Sequence, residues 1–181
     1  MSSQSRIRRS LPLALCTAAT MAMSSVAFAG SHAAPFVLKV YASAPGGHDL
    51  LSGRYPIALH QLHEYGSGAL DPAAVNANSC VAYAMTRQWQ RARAACDAAV
   101  QTANAPHFQT APWAESSGGS PNRRLAVAYS DRAVMRWFSN DRVGARADLA
   151  KAMAISPGAG FVARNEAAVK FHTTEVHARG N

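Results

Sequence analysis

Gly53-Arg54-Tyr55-Pro56-Ile57-Ala58 recurs as Arg87-Gln88-Trp89-Gln90-Arg91-Ala92, 34 positions further along the chain. The aromatics Tyr55 and Trp89 keep that offset, and so do the alanines Ala58 and Ala92. A later copy reads Asn140-Asp141-Arg142-Val143-Gly144-Ala145. Ala92 and Ala145 are 53 residues apart, one period plus an insertion of 19. A fixed period in this range marks stacked helix–turn–helix units, each too small to bury its apolar face alone. It points to a scaffold with a binding surface more than to a catalyst.

The rest of the chain falls into place around that period. Residues 30–47 are irregular: Phe36-Val37-Leu38-Lys39-Val40-Tyr41 has strand-like composition but is short, and Ala44-Pro45-Gly46-Gly47 closes it with turn residues. A helical turn is expected at His48 to Ser52 and a helix from Pro56 to Tyr65, broken by Gly66-Ser67-Gly68. Asp71-Pro72 opens the next helix, with Asp as N-cap and Pro in the first turn, where its missing N–H costs nothing. That helix runs to about Thr86, and its partner spans about Trp89 to Ala103; both are rich in Ala, the best helix former. Three Pro, two Gly and three Ser make residues 105–122 an insertion loop, a change that costs little in a connection. Helices over Arg124 to Ser139 and Arg142 to Ile155 follow, stopped by Ser156-Pro157-Gly158. A last helix over Gly160 to Thr173 leads into a flexible tail, 174–181.

The start of the chain reads as an export signal. Arg6, Arg8 and Arg9 precede Leu11 to Phe28, which carries no charge, and Ala27-Phe28-Ala29 is an A-x-A cleavage site. Ser10-Leu11-Pro12 fits a twin-arginine motif poorly, so ordinary secretion is expected. Cys16 follows Leu15, not the small residue of a lipoprotein signal, and leaves with residues 1–29. The mature chain then begins at Gly30, is periplasmic or secreted, and has no later stretch apolar and long enough to anchor it in a membrane. Loss of the three arginines takes the formal charge from +8 to +5. The remaining charges are dispersed and mixed in sign, as on a solvated face. No aromatic-plus-basic cluster supports nucleic-acid binding.

The copy Ala126-Val127-Ala128-Tyr129-Ser130-Asp131-Arg132-Ala133, continued by Asn140-Asp141, Ala145, Leu149, Ala152 and Pro157, resembles the tetratricopeptide repeat family. Cys80, Tyr83, Trp89, Ala92, Cys96 and Ala99 take the matching places in the copy before it. Half-copies flank these: Gly53, Tyr55, Ala58 and Leu62 at one end, Asn165 and Ala167 at the other. The resemblance covers about residues 48–173 and implies an all-α fold, a short right-handed α–α superhelix of about two full repeats with half-repeats as caps. Arg142 stands where the family has an aromatic. The resemblance also implies a groove along the first helices of the repeats. Asn78, Asp131 and Asn165 each stand two residues before the small residue of their copy, where relatives place an amide that faces the groove and can bond a ligand backbone; capping or hydrating the helix surface is the alternative. Val81, Met85, Val134 and Trp137 fall on the same faces by helical spacing, with packing between repeats as the alternative for Met85 and Trp137.

Candidate chemistry outside the groove is thin. Cys80 and Cys96 sit two turns either side of an intervening turn, level with each other in an antiparallel pair. An oxidising compartment favours a structural bridge between them; two buried thiols acting as small apolar residues are the alternative. No C-x-x-C supports redox catalysis or haem attachment. His60, His63 and Glu64 share a helix, with His48 nearby, but no second convergent motif makes them a metal site. Ser130-Asp131 lacks a G-x-S-x-G context or a placed base. No catalytic residue, cofactor or metal is expected. The sequence supports an exported adaptor that binds a protein or peptide in its groove. A structural envelope-assembly component without a soluble ligand is the alternative, and a metal-dependent enzyme using His60 and His63 the least supported. The exported protein should begin at or within a few residues of Gly30, as N-terminal sequencing will read; retention of Met1 contradicts the signal.

Overall fold

A computed structural model describes residues 35–109 and 120–179; the expected signal segment, 1–29, lies outside them. Every regular element among the described residues is a helix. In chain order these are α1 Gly47–Leu51, α2 Tyr55–Tyr65, α3 Pro72–Met85, α4 Trp89–Asn104, α5 Pro106–Gln109, α6 Pro121–Phe138, α7 Arg142–Ile155 and α8 Gly160–Arg179. The most extensive packing joins α3 to α4 and α6 to α7, and α4 packs on α6 between the pairs.

Local chemistry sets the boundaries. Asp71 Oδ1 accepts from the Ala74 N–H at 3.0 Å and Asp141 Oδ1 from the Gly144 N–H at 2.8 Å, so two helices start on aspartate caps. Three helices end on one and the same turn. Gly53, Arg87 and Asn140 have φ of 70°, 57° and 70°. The next residue in each case, Arg54, Gln88 or Asp141, donates its N–H five residues back, to Asp49, Tyr83 or Arg136. This is the Schellman closure, with a left-handed residue after the helix. Its three occurrences stand 34 and 53 residues apart, the offsets of the repeated sequence.

Side-chain size then decides how closely the helices cross. Ala58, Ala92 and Ala145, equivalent in the period, are all 0% exposed. Cys80 and Ala133, equivalent on the opposing helices, are each 1% exposed. Cys80 and Cys96 are bridged, with Cα atoms 4.6 Å apart, so the expected disulfide staples α3 to α4. The α6–α7 pair has no such staple and uses charge instead. Arg132 donates to both Asp148 oxygens at 2.8 Å, and to Asp97 on α4 at 2.8 Å. Burial opposes the Arg132 charge, but the bonds and charges of Asp148 and Asp97 outweigh it and hold its pKa above the usual value. One guanidinium thus ties three helices together.

The structure corrects two expectations. The insertion 105–122 is not all loop: α5 occupies Pro106–Gln109 with Phe108 buried, and α6 starts at Pro121 behind Ser120. A Ser N-cap with Pro in the first turn is a strong helix start. Residues 110–119 lie outside the described ones. The tail expected to be flexible, 174–181, continues α8 as far as Arg179.

Ala133→Leu and Ala145→Leu should each destabilise the α6–α7 pair by about 1–3 kcal/mol, because added methylenes at a closed crossing force helices apart. Thermal melts that match the parent for both variants would refute the crossing.

Candidate functional site

The face shared by α3, α6 and α8 presents Asn78, Asp131 and Asn165, which are 0%, 1% and 0% exposed. Their burial is achieved by the chain's own residues 36–41, which lie extended across the three helices. Val37 donates its N–H to Asn165 Oδ1 at 2.7 Å, and Asn165 Nδ2 donates back to the Val37 carbonyl at 2.8 Å. Tyr41 and Asn78 repeat this reciprocal pair, at 2.9 Å in each direction. Between them, Lys39 donates its N–H to Asp131 Oδ1 at 2.9 Å. In an extended chain the N–H and C=O of alternate residues point to the same side. Residues 37, 39 and 41 therefore meet three side chains from three helices in turn. The six residues form a strap whose ladder partner is a row of side chains in place of a second strand.

The strap's side chains fix its register. Phe36 sits in an aromatic pocket, with ring centroids 5.9 Å from Trp137, 5.2 Å from Phe138 and 5.6 Å from His172, the last stacked. Val37 and Tyr41 pack on the cluster of Ala133, Trp137, Leu149 and Val162, whereas Leu38 and Val40 pack on Leu50, Ala58, Leu62 and Val81. The strap's far end is held by a tight turn. Gly46 has φ of 73° and donates to Gln61 Oε1 at 3.1 Å, and Asn78 Nδ2 also reaches the Pro45 carbonyl at 3.2 Å. A Cβ on Gly47 would collide with the Tyr41 carbonyl oxygen, so this approach requires glycine.

Burial sets the protonation of the site. It raises the Tyr41 hydroxyl well above its ordinary pKa, with the charge of Asp131 adding to the effect. Burial also pushes the Asp131 carboxyl well above the usual carboxylate range, against the Lys39 N–H bond and the Lys39 charge, which favour ionisation.

The expected groove residues divide accordingly. Asn78, Asp131 and Asn165 converge on one extended backbone. Val81 and Val134 are buried, Val81 in the cluster under Leu38 and Val40. Trp137 is buried and forms one wall of the Phe36 pocket. Met85 is instead 45% exposed, as the last residue of α3 before its C-cap Thr86. His60, His63 and Glu64 are exposed on α2. Among the described residues no group of three or more His, Cys, Asp or Glu side chains is placed to hold a metal. No helix among them is long and apolar enough to cross a membrane.

A second feature was not foreseen. An open cleft of about 760 Å³ lies between α7 and α8, lined by Leu149, Met153 and Val169 with Arg146, Glu166 and Lys170 at its polar edge. Its position follows from the period: among the described residues no further helix pairs with α8, and Ala167, the counterpart of buried Cys80 and Ala133, is exposed.

No protein-family model, curated protein or solved structure matches the chain. The site is therefore read from its own geometry. The identity of the groove's occupant escaped the sequence reading, although its signal was present: Val37, Lys39 and Tyr41 are alternate residues, and the acceptor row has three members.

The asparagines hold the chain itself, so their removal reaches stability as well as binding. Asn78→Ala or Asn165→Ala strips one strap residue of both its backbone partners. Each should cost about 1–3 kcal/mol and loosen the strap, because a buried amide and carbonyl lose their bonds. Melting, together with amide exchange at Val37 and Tyr41, measures both effects; unchanged exchange means the ladder does not hold the strap.

Proposed function

We propose that the chain is an exported helical-repeat module of the tetratricopeptide type, an adaptor that binds extended peptide segments along α3, α6 and α8, with its own residues 36–41 as a built-in competitor. One observation carries this reading: the reciprocal bonding of Asn78 and Asn165 to an extended backbone. It demands N–H and C=O groups at alternate residues and little else, so any extended segment with those groups fits the same row. Selectivity comes from the Phe36 pocket, where Trp137, Phe138 and His172 favour an aromatic residue one place before the first bonded amide. The turn at 42–46 tethers the strap at an effective concentration on the order of millimolar, which a peptide in solution must overcome. Export is supported by the Arg-rich, then uncharged, start and by the Cys80–Cys96 bridge, which suits an oxidising compartment.

The filled groove also favours a second reading, a structural component of the envelope with no soluble ligand. Here the strap is a permanent part of the fold, and partners meet another surface.

A labelled peptide copying residues 35–42 separates the two. It should bind the unmodified protein weakly and the Phe36→Ala variant at least tenfold more tightly, and Asn78→Ala in that background should abolish the gain. A peptide with proline in place of Lys39 lacks one donor and should bind less well. If the peptide binds neither protein, the strap is fixed and the structural reading stands.

A further inference from the structure

The row that holds the strap has two asparagines and one aspartate, and the three do not bond alike. Each asparagine accepts from a strap N–H through Oδ1 and donates from Nδ2 to the carbonyl of the same residue. Asp131 accepts from the Lys39 N–H in the same way, but its other oxygen, Oδ2, is buried without a hydrogen-bond partner. With Oδ1 taken by the N–H as in the asparagines, Oδ2 is the counterpart of the amide nitrogen, the donating atom of the motif. An ionised carboxylate has no proton to give there, and a lone pair facing a carbonyl repels it. A neutral carboxylic acid has one donor and one acceptor, the same pattern as the amide.

We propose that Asp131 is a proton-binding site coupled to the strap: as a neutral acid it donates from Oδ2 to the Lys39 carbonyl and completes the row, and on losing that proton it loosens residues 36–41. The inference rests on the observed bonds of the strap and does not depend on peptide binding.

The surroundings supply little that would keep the carboxylate charged. On the strap, Lys39 is partly exposed and Tyr41 stays neutral, its hydroxyl raised by burial. On α6, Arg124 is bonded to Asp71, the N-cap of α3, at 2.7 Å, and Arg123 lines a recess with Lys39 and with Arg164 of α8. The α4 and α7 carboxylates, Asp97 and Asp148, are both bonded to Arg132. From α8, Asn165 bonds Ser130 and Val37, and from α3, Asn78 bonds Tyr41 and Pro45; neither reaches Asp131. Burial raises the Asp131 pKa well above 3.8, in agreement with the missing donor.

The sign follows from proton counting. Between the ordinary carboxylate value and the raised one, the folded state binds a proton that the unfolded state has lost. Stability is therefore full below about 3.8 and falls as pH rises through the folded value. Each pH unit within that window shifts the folding equilibrium roughly tenfold.

Asp131→Asn tests this in the full chain, because asparagine has the same shape and donates permanently. In the parent, melting temperature should fall and exchange at the Lys39 and Tyr41 amides should rise, beyond its intrinsic increase, as pH climbs above the carboxylate range. In Asp131→Asn both should lose that pH dependence, and the variant should be the more stable protein at the alkaline end. Infrared difference spectra of the parent, taken across the same titration, should show the carbonyl band of a buried protonated acid that disappears with rising pH and is absent from the variant. The absence of that band throughout the titration of the folded parent overturns the proposal. So does a parent-to-variant stability difference that is the same at every pH, or a variant that fails to fold.

Discussion

The structure depends on one constraint: an extended backbone must have its N–H and C=O groups satisfied when it is buried. Residues 36–41 lie on a helical surface, which offers no strand to pair with. The bonds come instead from Asn165, Asp131 and Asn78, one from each of α8, α6 and α3. These helices touch one another less extensively than the members of each pair do. The strap therefore ties α3, α6 and α8 together, its longest-range bond spanning 128 residues of sequence. The Cys80–Cys96 bridge and the Arg132 cluster act within a pair or between neighbouring helices.

This division explains what the sequence revealed and what it withheld. Helix boundaries were legible because their causes are local. Asp71 and Asp141 cap, Pro72 starts a helix, and positive φ falls at Gly53, Arg87 and Asn140. Periodicity made the crossings legible too, since only small side chains fit at Ala58, Ala92, Ala133 and Ala145. The asparagine and aspartate row was visible at the same period. Its occupant was not, because five apolar residues around Lys39 have the composition of an ordinary strand, and only the alternation of Val37, Lys39 and Tyr41 against a three-member row links the two. The end of α8 was missed for the opposite reason: a polar sequence after Thr173 reads as a tail, yet helix formation propagates more readily than it starts.

Why the aspartate rather than a third asparagine stands at the centre of the row is a question of energetics. A third amide would bond Lys39 at any pH. A carboxyl group accepts from the Lys39 N–H in either state but can give a proton to a carbonyl only while protonated, and when ionised leaves a charge buried at high cost. Asn78 and Asn165 hold the two ends of the strap reciprocally, and Asp131 holds the middle by a single acceptor bond. The weakest bond thus lies where loss of it would bow the strap without freeing either end.

Register is the last requirement, and Phe36 meets it. A slip of one residue along an extended chain turns every bonded amide away from its partner. The three acceptors alone cannot prevent a slip of two residues, which presents equivalent backbone groups again. Phe36 breaks that degeneracy, because only one residue of the strap fits between Trp137, Phe138 and His172. Arg142 stacks on the Trp137 ring at 3.7 Å and completes the support of the pocket wall. Arg142 is also the residue that departs from the aromatic expected at this turn. A cation in that position covers the Trp137 face while keeping its charge toward water, which an aromatic side chain could do only by exposing more apolar surface.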